Sequence, residues 1–319
     1  MKKVLKAVLY IVLVLIVLVV SFAAFIYFRG IPTYDPPQIK EFTLSPTEQK
    51  IEEGARISAL ICSSCHMGTD GKLSGGLMKD LDPVFGMAYI ANITNHPVYG
   101  IGKWTASELA HFLRTGLRAD GRYAPPWMPK FNHLSDRDLE AVICFLKSDR
   151  PQVQASERVH PASQPSFFAK FLGNTVFKPL AYPNAPIMEP DTNDLVNYGK
   201  YIAQGKIECY SCHSADFSKM NLEFPEKSLG YMGGGNTLID LDKKKIFSAN
   251  ITMDTETGIG SWTYEDFYKA LKEGKRPDGK TLRYPMLPLG NLKDFEIKGL
   301  WAYLQTVPKI KNPVNRTWN

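Results

Sequence analysis

The chain has 319 residues, of which 44% are apolar and 22% charged, a composition typical of a folded protein and not of a disordered one. Its formal net charge is +6, and half of that comes from Lys2, Lys3 and Lys6, which precede a long apolar segment. The small remaining excess of positive charge does not indicate a nucleic-acid-binding role.

The first predicted element is a membrane-spanning helix. Residues 7–28 are apolar except for two tyrosines and Ser21, and at about 1.5 Å per residue they extend about 33 Å, enough to cross a hydrocarbon core of about 30 Å. The lysines of residues 1–6 predict a cytoplasmic tip. The alternative is a cleaved signal peptide, whose apolar stretch is usually about 7–15 residues long and ends at a small-x-small site. On either interpretation residues 29–44 form a linker to an exported portion.

An internal repeat organises the rest of the chain. Residues 91–94 (Ala-Asn-Ile-Thr) recur at 249–252, an offset of 158. The same offset relates Gly-Ile-Gly at 100–102 to 258–260, Trp-Thr at 104–105 to 262–263, and Asp-Gly at 120–121 to 278–279. The pattern predicts a tandem duplication, with domain 1 at residues 45–150 and domain 2 at residues 191–319.

Each copy is predicted to be mainly helical, with no substantial sheet. Residues 45–48 (Ser-Pro-Thr-Glu) read as a capping box with proline at the first helical position. Further predicted helix starts are Thr105 with Glu108 and Thr263 with Asp266 for the middle helices, and Ser135 with Asp138 and Asn291 with Asp294 for the last helices.

A proline-rich linker is predicted between the copies, at residues 151–190. Its prolines exclude regular helix and central strand. The linker also carries aromatic residues, Phe167, Phe168 and Phe171 among them. We expect these to pack across the domain surfaces; a patch that binds a partner is the alternative.

Two pentapeptides carry the chemistry of the chain. Residues 62–66 (Cys-Ser-Ser-Cys-His) and 209–213 (Cys-Tyr-Ser-Cys-His) match Cys-x-x-Cys-His, the attachment pattern of c-type haem. Two thiols at this spacing can form thioethers to one macrocycle, and the adjacent imidazole then faces the iron. The prediction is two covalent haem c groups, attached through Cys62, Cys65, Cys209 and Cys212, with His66 and His213 as axial ligands.

The Cys-x-x-Cys pattern has three other interpretations. A redox dithiol would need a thioredoxin-like βαβ setting, which the pattern lacks. A structural disulfide would not explain the histidine. A zinc site needs four ligands, and no second Cys/His pair accompanies either motif. Cys144 and the other histidines are expected to be structural or exposed.

The repeat selects the sixth ligands. Met128 and Met286 are related by the offset of 158. No other pair of methionines is related by 158 or by 147, which is the offset between the two cysteine motifs. Both lie between prolines, which restrict the backbone of a loop that must hold a weak ligand. We therefore predict His/Met ligation of both irons, with Met128 and Met286 as the thioether ligands.

Three stretches of the second copy carry a resemblance to a known group. They are residues 249–263 (Ala-Asn-Ile-Thr-Met-Asp-Thr-Glu-Thr-Gly-Ile-Gly-Ser-Trp-Thr), 276–279 (Arg-Pro-Asp-Gly) and 284–286 (Tyr-Pro-Met). The chain resembles the cytochrome c subunits of bacterial membrane-bound alcohol, aldehyde and gluconate dehydrogenases. The resemblance implies two class I cytochrome c domains that take electrons from a dehydrogenase. Those subunits typically carry three haems, whereas this chain has two motifs.

We therefore expect a membrane-anchored electron carrier in the bacterial periplasm, with no substrate of its own. Its partners would be a redox donor and a redox acceptor, such as a membrane dehydrogenase complex and a terminal oxidase. The main alternative is a redox enzyme, such as a dihaem peroxidase or a thiosulfate dehydrogenase. A structural or sensory haem module is a third hypothesis.

Overall fold

A computed structural model describes residues 1–125 and 127–315. It opens with α1, Lys2–Arg29, a helix of 28 residues whose surface is exposed except near its C-terminal end. Within those residues, α1 is the one helix long and apolar enough to cross a membrane. This agrees with the segment predicted at residues 7–28.

The rest of the chain is mainly helical, as predicted. In the first half α2 is Glu48–Ile61, α3 is Ser63–His66, α4 is Ala106–Thr115 and α5 is Asp136–Leu146. The linker contains α6, Phe167–Thr175. In the second half α7 is Leu195–Tyr201, followed directly by a π-helical turn at Ile202–Lys206; α8 is Cys209–His213, α9 is Tyr264–Glu273 and α10 is Asp294–Leu304.

The strands are short and all pair antiparallel. In the described part of the chain they form three two-stranded ladders. β1, Gly76–Leu77, pairs with β3, Tyr89–Ile90; β2, Gly86–Met87, pairs with β4, Gln164–Pro165; and β5, Thr237–Ile239, pairs with β6, Lys245–Phe247. The β5–β6 hairpin lies between the second cysteine motif and the repeated Ala-Asn-Ile-Thr. In this interval the second copy is longer than the first.

The first and last helices of each half cross at a glycine. A Cβ atom at Gly54 of α2 would lie 1.9 Å from the carbonyl oxygen of Ala141 in α5. A Cβ atom at Gly199 of α7 would lie 1.9 Å from the carbonyl oxygen of Gly299 in α10. Because only glycine permits this approach, both helix pairs pack backbone against backbone. Gly199 lies two residues further from its cysteine motif than Gly54 does, and the π-helical turn occupies this interval.

The predicted caps hold at the middle helices and fail at two other helix starts. Thr105 and Thr263 both form complete capping boxes. The cap of α2, however, is Thr47 and not Ser45, whose backbone N–H donates instead to the Glu140 carboxylate at 2.8 Å. Likewise α10 begins after Lys293 and not after Asn291. In each case the residue expected as the cap contacts another helix instead: Ser45 contacts α5, and the carbonyl oxygen of Asn291 accepts from Arg56 of α2 at 2.8 Å.

The linker also departs from prediction, because α6 is a regular helix. It occupies the proline-free stretch between Pro165 and Pro179, and the Ser166 hydroxyl caps it by accepting from the Ala169 N–H at 3.1 Å. The overall proline content therefore gave the wrong result for this stretch. Proline disrupts a helix only at its own position and the turn before it.

A buried cluster of charges joins the two halves. The guanidinium of Arg56 donates to both carboxylate oxygens of Glu296, at 2.8 and 2.9 Å. The ammonium group of Lys206 pairs with Glu296 and with Asp138, and the Tyr201 hydroxyl donates to Asp138 at 2.5 Å. Arg56 and Asp138 belong to the first half and the others to the second, so these pairs hold the halves in one relative orientation.

Candidate functional site

In the second half, the residues predicted from the sequence line one cavity. Cys209, Cys212, His213 and Met286 all contribute to its wall. The cavity is partly open to solvent, and together with the solvent at its mouth it comprises about 1490 Å³ of empty space. Most of its remaining wall is apolar and includes Ile251, Ile259, Trp262, Phe267, Leu271 and Leu300. Two thiols, an imidazole and a thioether thus converge on a space suited to a large apolar group.

The histidines of both motifs have the same orientation. The Nδ1 atom of His213 lies 2.8 Å from the carbonyl oxygen of Ala249, and the Nδ1 atom of His66 lies 2.8 Å from the carbonyl oxygen of Ala91. Since a carbonyl can only accept, each Nδ1 carries the proton and Nε2 keeps the lone pair that can bind a metal. Burial also lowers the pKa of His66, which favours the neutral ring.

The repeated Ala-Asn-Ile-Thr sequence holds those carbonyls in place. The side-chain oxygen of Asn92 accepts from the backbone N–H and the hydroxyl of Thr94, at 3.0 and 2.7 Å. The side-chain oxygen of Asn250 accepts the same two bonds from Thr252, at 3.0 and 2.8 Å. The paired asparagines thus make equivalent hydrogen bonds, one residue after the carbonyl that orients each histidine.

The methionine loops are held at both ends by equivalent backbone bonds. In the first half Ala124 N–H donates to Gly116 O at 2.7 Å and Phe131 N–H donates to Leu113 O at 2.8 Å. In the second half the donors are Leu282, to Gly274 O at 2.7 Å, and Leu289, to Leu271 O at 2.7 Å. Backbone hydrogen bonds therefore attach both loops to the C-terminal end of the middle helix, which is α4 in the first half and α9 in the second. Pro126, one of the prolines flanking Met128, lies outside the described residues.

Lys130 supports the first of these loops, and the sequence did not single it out. It is buried, and its ammonium group donates to the carbonyl oxygens of Met128 at 2.7 Å and Pro125 at 3.0 Å. Burial lowers the pKa of Lys130 to about 7, and burial raises the pKa of the nearby Glu208 carboxyl to about 8. Glu208 directly precedes Cys209, so the lysine that supports the loop of one half lies near the cysteine motif of the other.

The thiols do not have the properties of a redox dithiol. Burial raises the pKa of Cys62 to about 12 and that of Cys209 to about 12, whereas catalytic Cys-x-x-Cys thiols have lowered pKa values. Within residues 1–125 and 127–315, no group of three or more His, Cys, Asp and Glu side chains could hold a metal ion. Both observations disfavour the dithiol and zinc interpretations. Cys144 is buried in the core, as expected.

Asp80 lies close to both cysteine motifs. Burial raises the pKa of the Cys65 thiol of the first half and of the Cys212 thiol of the second, and the charge of the Asp80 carboxylate adds to both shifts. Burial raises the pKa of the Tyr284 hydroxyl, and the nearby Asp80 carboxylate raises it further. Asp80 comes from the first half, and Tyr284 precedes Met286 in the second, so the two motifs lie near one another at the contact between the halves.

Comparison with known proteins identifies the class of site. The family model of cytochrome c oxidase, cbb3-type, subunit III matches residues 49–146, which include the first cysteine motif and Met128. The chain carries a cytochrome c domain. The match supports haem c as the cofactor and electron transfer as the chemistry. The apolar cavity, the paired thiols and the oriented imidazoles all fit that group.

Three relatives that match about three quarters of the chain are also cytochromes or cytochrome subunits. The chain is 28% identical over 254 residues to the fructose dehydrogenase cytochrome subunit of Gluconobacter japonicus, covering 77% of this chain and 50% of that one. It is 25% identical over 262 residues to the gluconate 2-dehydrogenase cytochrome c subunit of Pantoea cypripedii, covering 77% and 56%. A diheme cytochrome c-type protein of Cereibacter sphaeroides is 27% identical over 267 residues, covering 78% and 83%.

These matches confirm the predicted resemblance to the cytochrome c subunits of bacterial dehydrogenases. The chain spans about half the length of the two dehydrogenase subunits and most of the length of the diheme cytochrome.

Proposed function

We propose that this chain is a membrane-anchored dihaem c-type cytochrome that transfers electrons in a bacterial periplasm. It consists of two tandem class I cytochrome c domains, at residues 45–150 and 191–319. Its donor is a dehydrogenase or quinol-oxidising complex, and its acceptor is a terminal oxidase or a soluble redox protein.

The observation that carries the proposal is the matched construction of the two halves. Each half has a Cys-x-x-Cys-His motif whose histidine Nδ1 lies 2.8 Å from an equivalent carbonyl oxygen. Each half also has a methionine in a loop that is held by two equivalent backbone hydrogen bonds. A haem attached through Cys62 and Cys65 would have His66 and Met128 as ligands. A haem attached through Cys209 and Cys212 would have His213 and Met286.

Such sites favour electron transfer over catalysis. Haem supplies a one-electron iron couple, and the protein's own groups set its properties. His Nε2 and Met sulfur together would fill both axial positions and leave no open position for peroxide or thiosulfate. Thioether ligation favours reduced iron, and an apolar wall such as that around Met286 limits access of water. These arguments support a carrier over the peroxidase or thiosulfate dehydrogenase alternatives.

The location and partners rest on separate evidence. α1 has the length and hydropathy of a single membrane span, and Lys2, Lys3 and Lys6 lie on the side expected to stay in the cytoplasm. The named relatives include cytochrome subunits of fructose and gluconate dehydrogenases. A tethered carrier next to such a dehydrogenase would accept its electrons without diffusing away.

The test is spectroscopy on the full chain purified from detergent-solubilised membranes. We expect two low-spin haems and, in the oxidised protein, the weak long-wavelength band of a methionine–iron bond. Neither haem should react with peroxide or thiosulfate. Turnover of either substrate would instead favour the enzyme. Redox titration addresses the third hypothesis: potentials beyond the reach of periplasmic donors would favour a structural or sensory haem module. Proteins that co-purify would identify the donor or acceptor.

A further inference from the structure

Helix α6 packs against the C-terminal turns of α1. The ring of Phe171 meets the ring of Phe22 edge to face, with 6.4 Å between centroids. The side-chain amide of Asn174 donates to the carbonyl oxygen of Gly30 at 2.9 Å. Ile26, on the same face of α1 as Phe22, is only 1% exposed. The side chains and backbone of α1 and α6 are therefore in direct contact, and the two helices form a packed pair.

This contact lies within the apolar length of α1. Phe22 precedes Phe28, the last residue of the apolar span, by six residues. At about 1.5 Å per residue, the Phe22–Phe171 contact is about 9 Å inside the end of that span. If α1 crosses a bilayer, α6 must therefore lie at the level of the outer boundary of that bilayer.

The outer side of α6 is apolar. Phe167 and Phe168 are 46% and 41% exposed. Two further exposed apolar residues lie beside them: Val84, whose carbonyl accepts from the Ser166 hydroxyl at 2.6 Å, and Met87, which pairs with Gln164. We call Val84, Met87, Phe167 and Phe168 the α6 surface. Neighbouring exposed apolar side chains of this kind mark an interaction site.

Basic and aromatic residues surround the junction of the two helices. The Lys170 ammonium group lies 4.5 Å from the centroid of the Tyr27 ring, and the Arg29 guanidinium lies 5.5 Å from that of Phe25. Cations beside aromatic rings at the end of an apolar helix are typical of the headgroup region of a membrane, where anionic lipids attract the positive charge.

We propose that the α6 surface is a second membrane contact, which lies in the bilayer interface beside α1. This rests on the proposed anchoring by α1, with which the α6 surface is continuous. The partner is the lipid bilayer itself. One spanning helix alone would let the haem-bearing halves swing, whereas two contacts hold them in one orientation above the membrane.

The test uses the full chain with its haems, in nanodiscs of phosphatidylcholine and phosphatidylglycerol. The photoreactive residue p-benzoylphenylalanine replaces one phenylalanine at a time, and intact mass reports lipid adducts after illumination. The three positions are Phe168 on the α6 surface, Phe25 in α1, and Phe224 in the second half. Phe224 is a matched control, because it is 43% exposed against 41% for Phe168.

We expect lipid adducts at Phe25 and Phe168, with a yield at Phe168 several-fold above that at Phe224. Adducts at Phe25 without any at Phe168 would overturn the second contact and leave the anchor intact. A cross-link from Phe168 to another protein chain, or equal lipid yields at Phe168 and Phe224, would overturn it as well. Absence of adducts at Phe25 would instead refute the anchoring by α1.

Discussion

The ammonium group of Lys206 lies 2.9 Å from the carboxylate of Asp138, and both side chains are almost completely buried. Lys206 belongs to the second half and Asp138 to the first, so this ion pair crosses the contact between them. Lys206 also pairs with Glu296 at 3.0 Å. A charge network in this position would fix the distance between the two proposed haems.

Lys206→Met should therefore destabilise the protein, since it leaves the Asp138 carboxylate buried without its ion-pair partner. Loss of one partner from a buried pair costs about 3–5 kcal/mol. The free energy of unfolding, from denaturant titration, measures the effect. Lys269→Met is the matched control, because Lys269 pairs with Glu265 on the surface and exposed pairs contribute about 0–1 kcal/mol. Equal losses in the two variants would contradict the role given to Lys206.

The free energy of unfolding should decrease in acid, in part because the Glu53 carboxylate becomes protonated. Burial acts to raise the pKa of this carboxyl, but hydrogen bonds from Arg56 and Lys293 outweigh it and lower the pKa to about 2. The unfolded chain, with an ordinary pKa near 4.5, takes up a proton first. The stabilisation from Glu53 is therefore complete above about pH 4.5 and is lost as the pH falls towards 2.

This is tested by measuring the free energy of unfolding of the wild type and of Glu53→Gln at a series of pH values. The variant should be less stable at neutral pH, and the difference should shrink as the pH falls from 4.5 to 2. The exposed neighbour Glu52, changed to Gln, is the control. A difference between wild type and Glu53→Gln that does not vary with pH would show that the carboxylate charge is not what stabilises the contact.

Met286→Ala should lower the potential of one haem, since thioether ligation favours reduced iron. Half of the long-wavelength band should disappear while the haem stays attached. Met128→Ala should do the same at the other haem. Redox titration with absorption spectroscopy measures both variants. Met188→Ala is the control, because Met188 is 77% exposed in the linker. Unchanged haem spectra in Met128→Ala would refute that ligand assignment.

The number of covalent haems can be counted by intact mass. The wild type should carry two, and the double variant Cys62→Ala, Cys65→Ala should lose one. The double variant Cys209→Ala, Cys212→Ala should lose the other. Cys144→Ala should retain both, because Cys144 lies in the core, apart from both motifs. Retention of two haems by either double variant would contradict the proposed attachment.

Asp80→Asn should raise both haem potentials, because its negative charge lies near both cysteine motifs and favours oxidised iron. A unit charge about 10 Å away, at an effective dielectric constant of about 20, contributes about 1.7 kcal/mol, or about 70 mV for a one-electron couple. This is an upper value, because Asp80 is partly exposed.

Redox titration again provides the measurement for Asp80. Tyr284→Phe removes the neighbouring hydroxyl but keeps the charge of Asp80, and should shift the potentials less. The exposed Asp191, changed to Asn, should shift neither. A shift confined to one haem would show that Asp80 does not act on both sites.

Much of the chain could be predicted because its signals are local. The Cys-x-x-Cys-His motifs, the capping box at Thr105 and the apolar span at residues 7–28 each occupy one short stretch of sequence. The repeat added a longer-range constraint: its constant offset matched Met128 with Met286, and both loops have equivalent backbone bonds. The starts of α2 and α10 and the presence of α6 were predicted wrongly. The expected cap residues contact other helices, and α6 occupies a stretch without proline.

By itself, the sequence determined the cofactor class, because covalent haem attachment needs two thiols and an imidazole within five consecutive residues. It also determined the mainly helical fold, since the apolar spacing and the caps lie along single helices. Only the tertiary structure decided which groups meet across the chain. Lys206 with Asp138, Asp80 beside both motifs, and α6 against α1 join residues far apart in sequence. Such contacts depend on how the helices pack, and no local pattern encodes them.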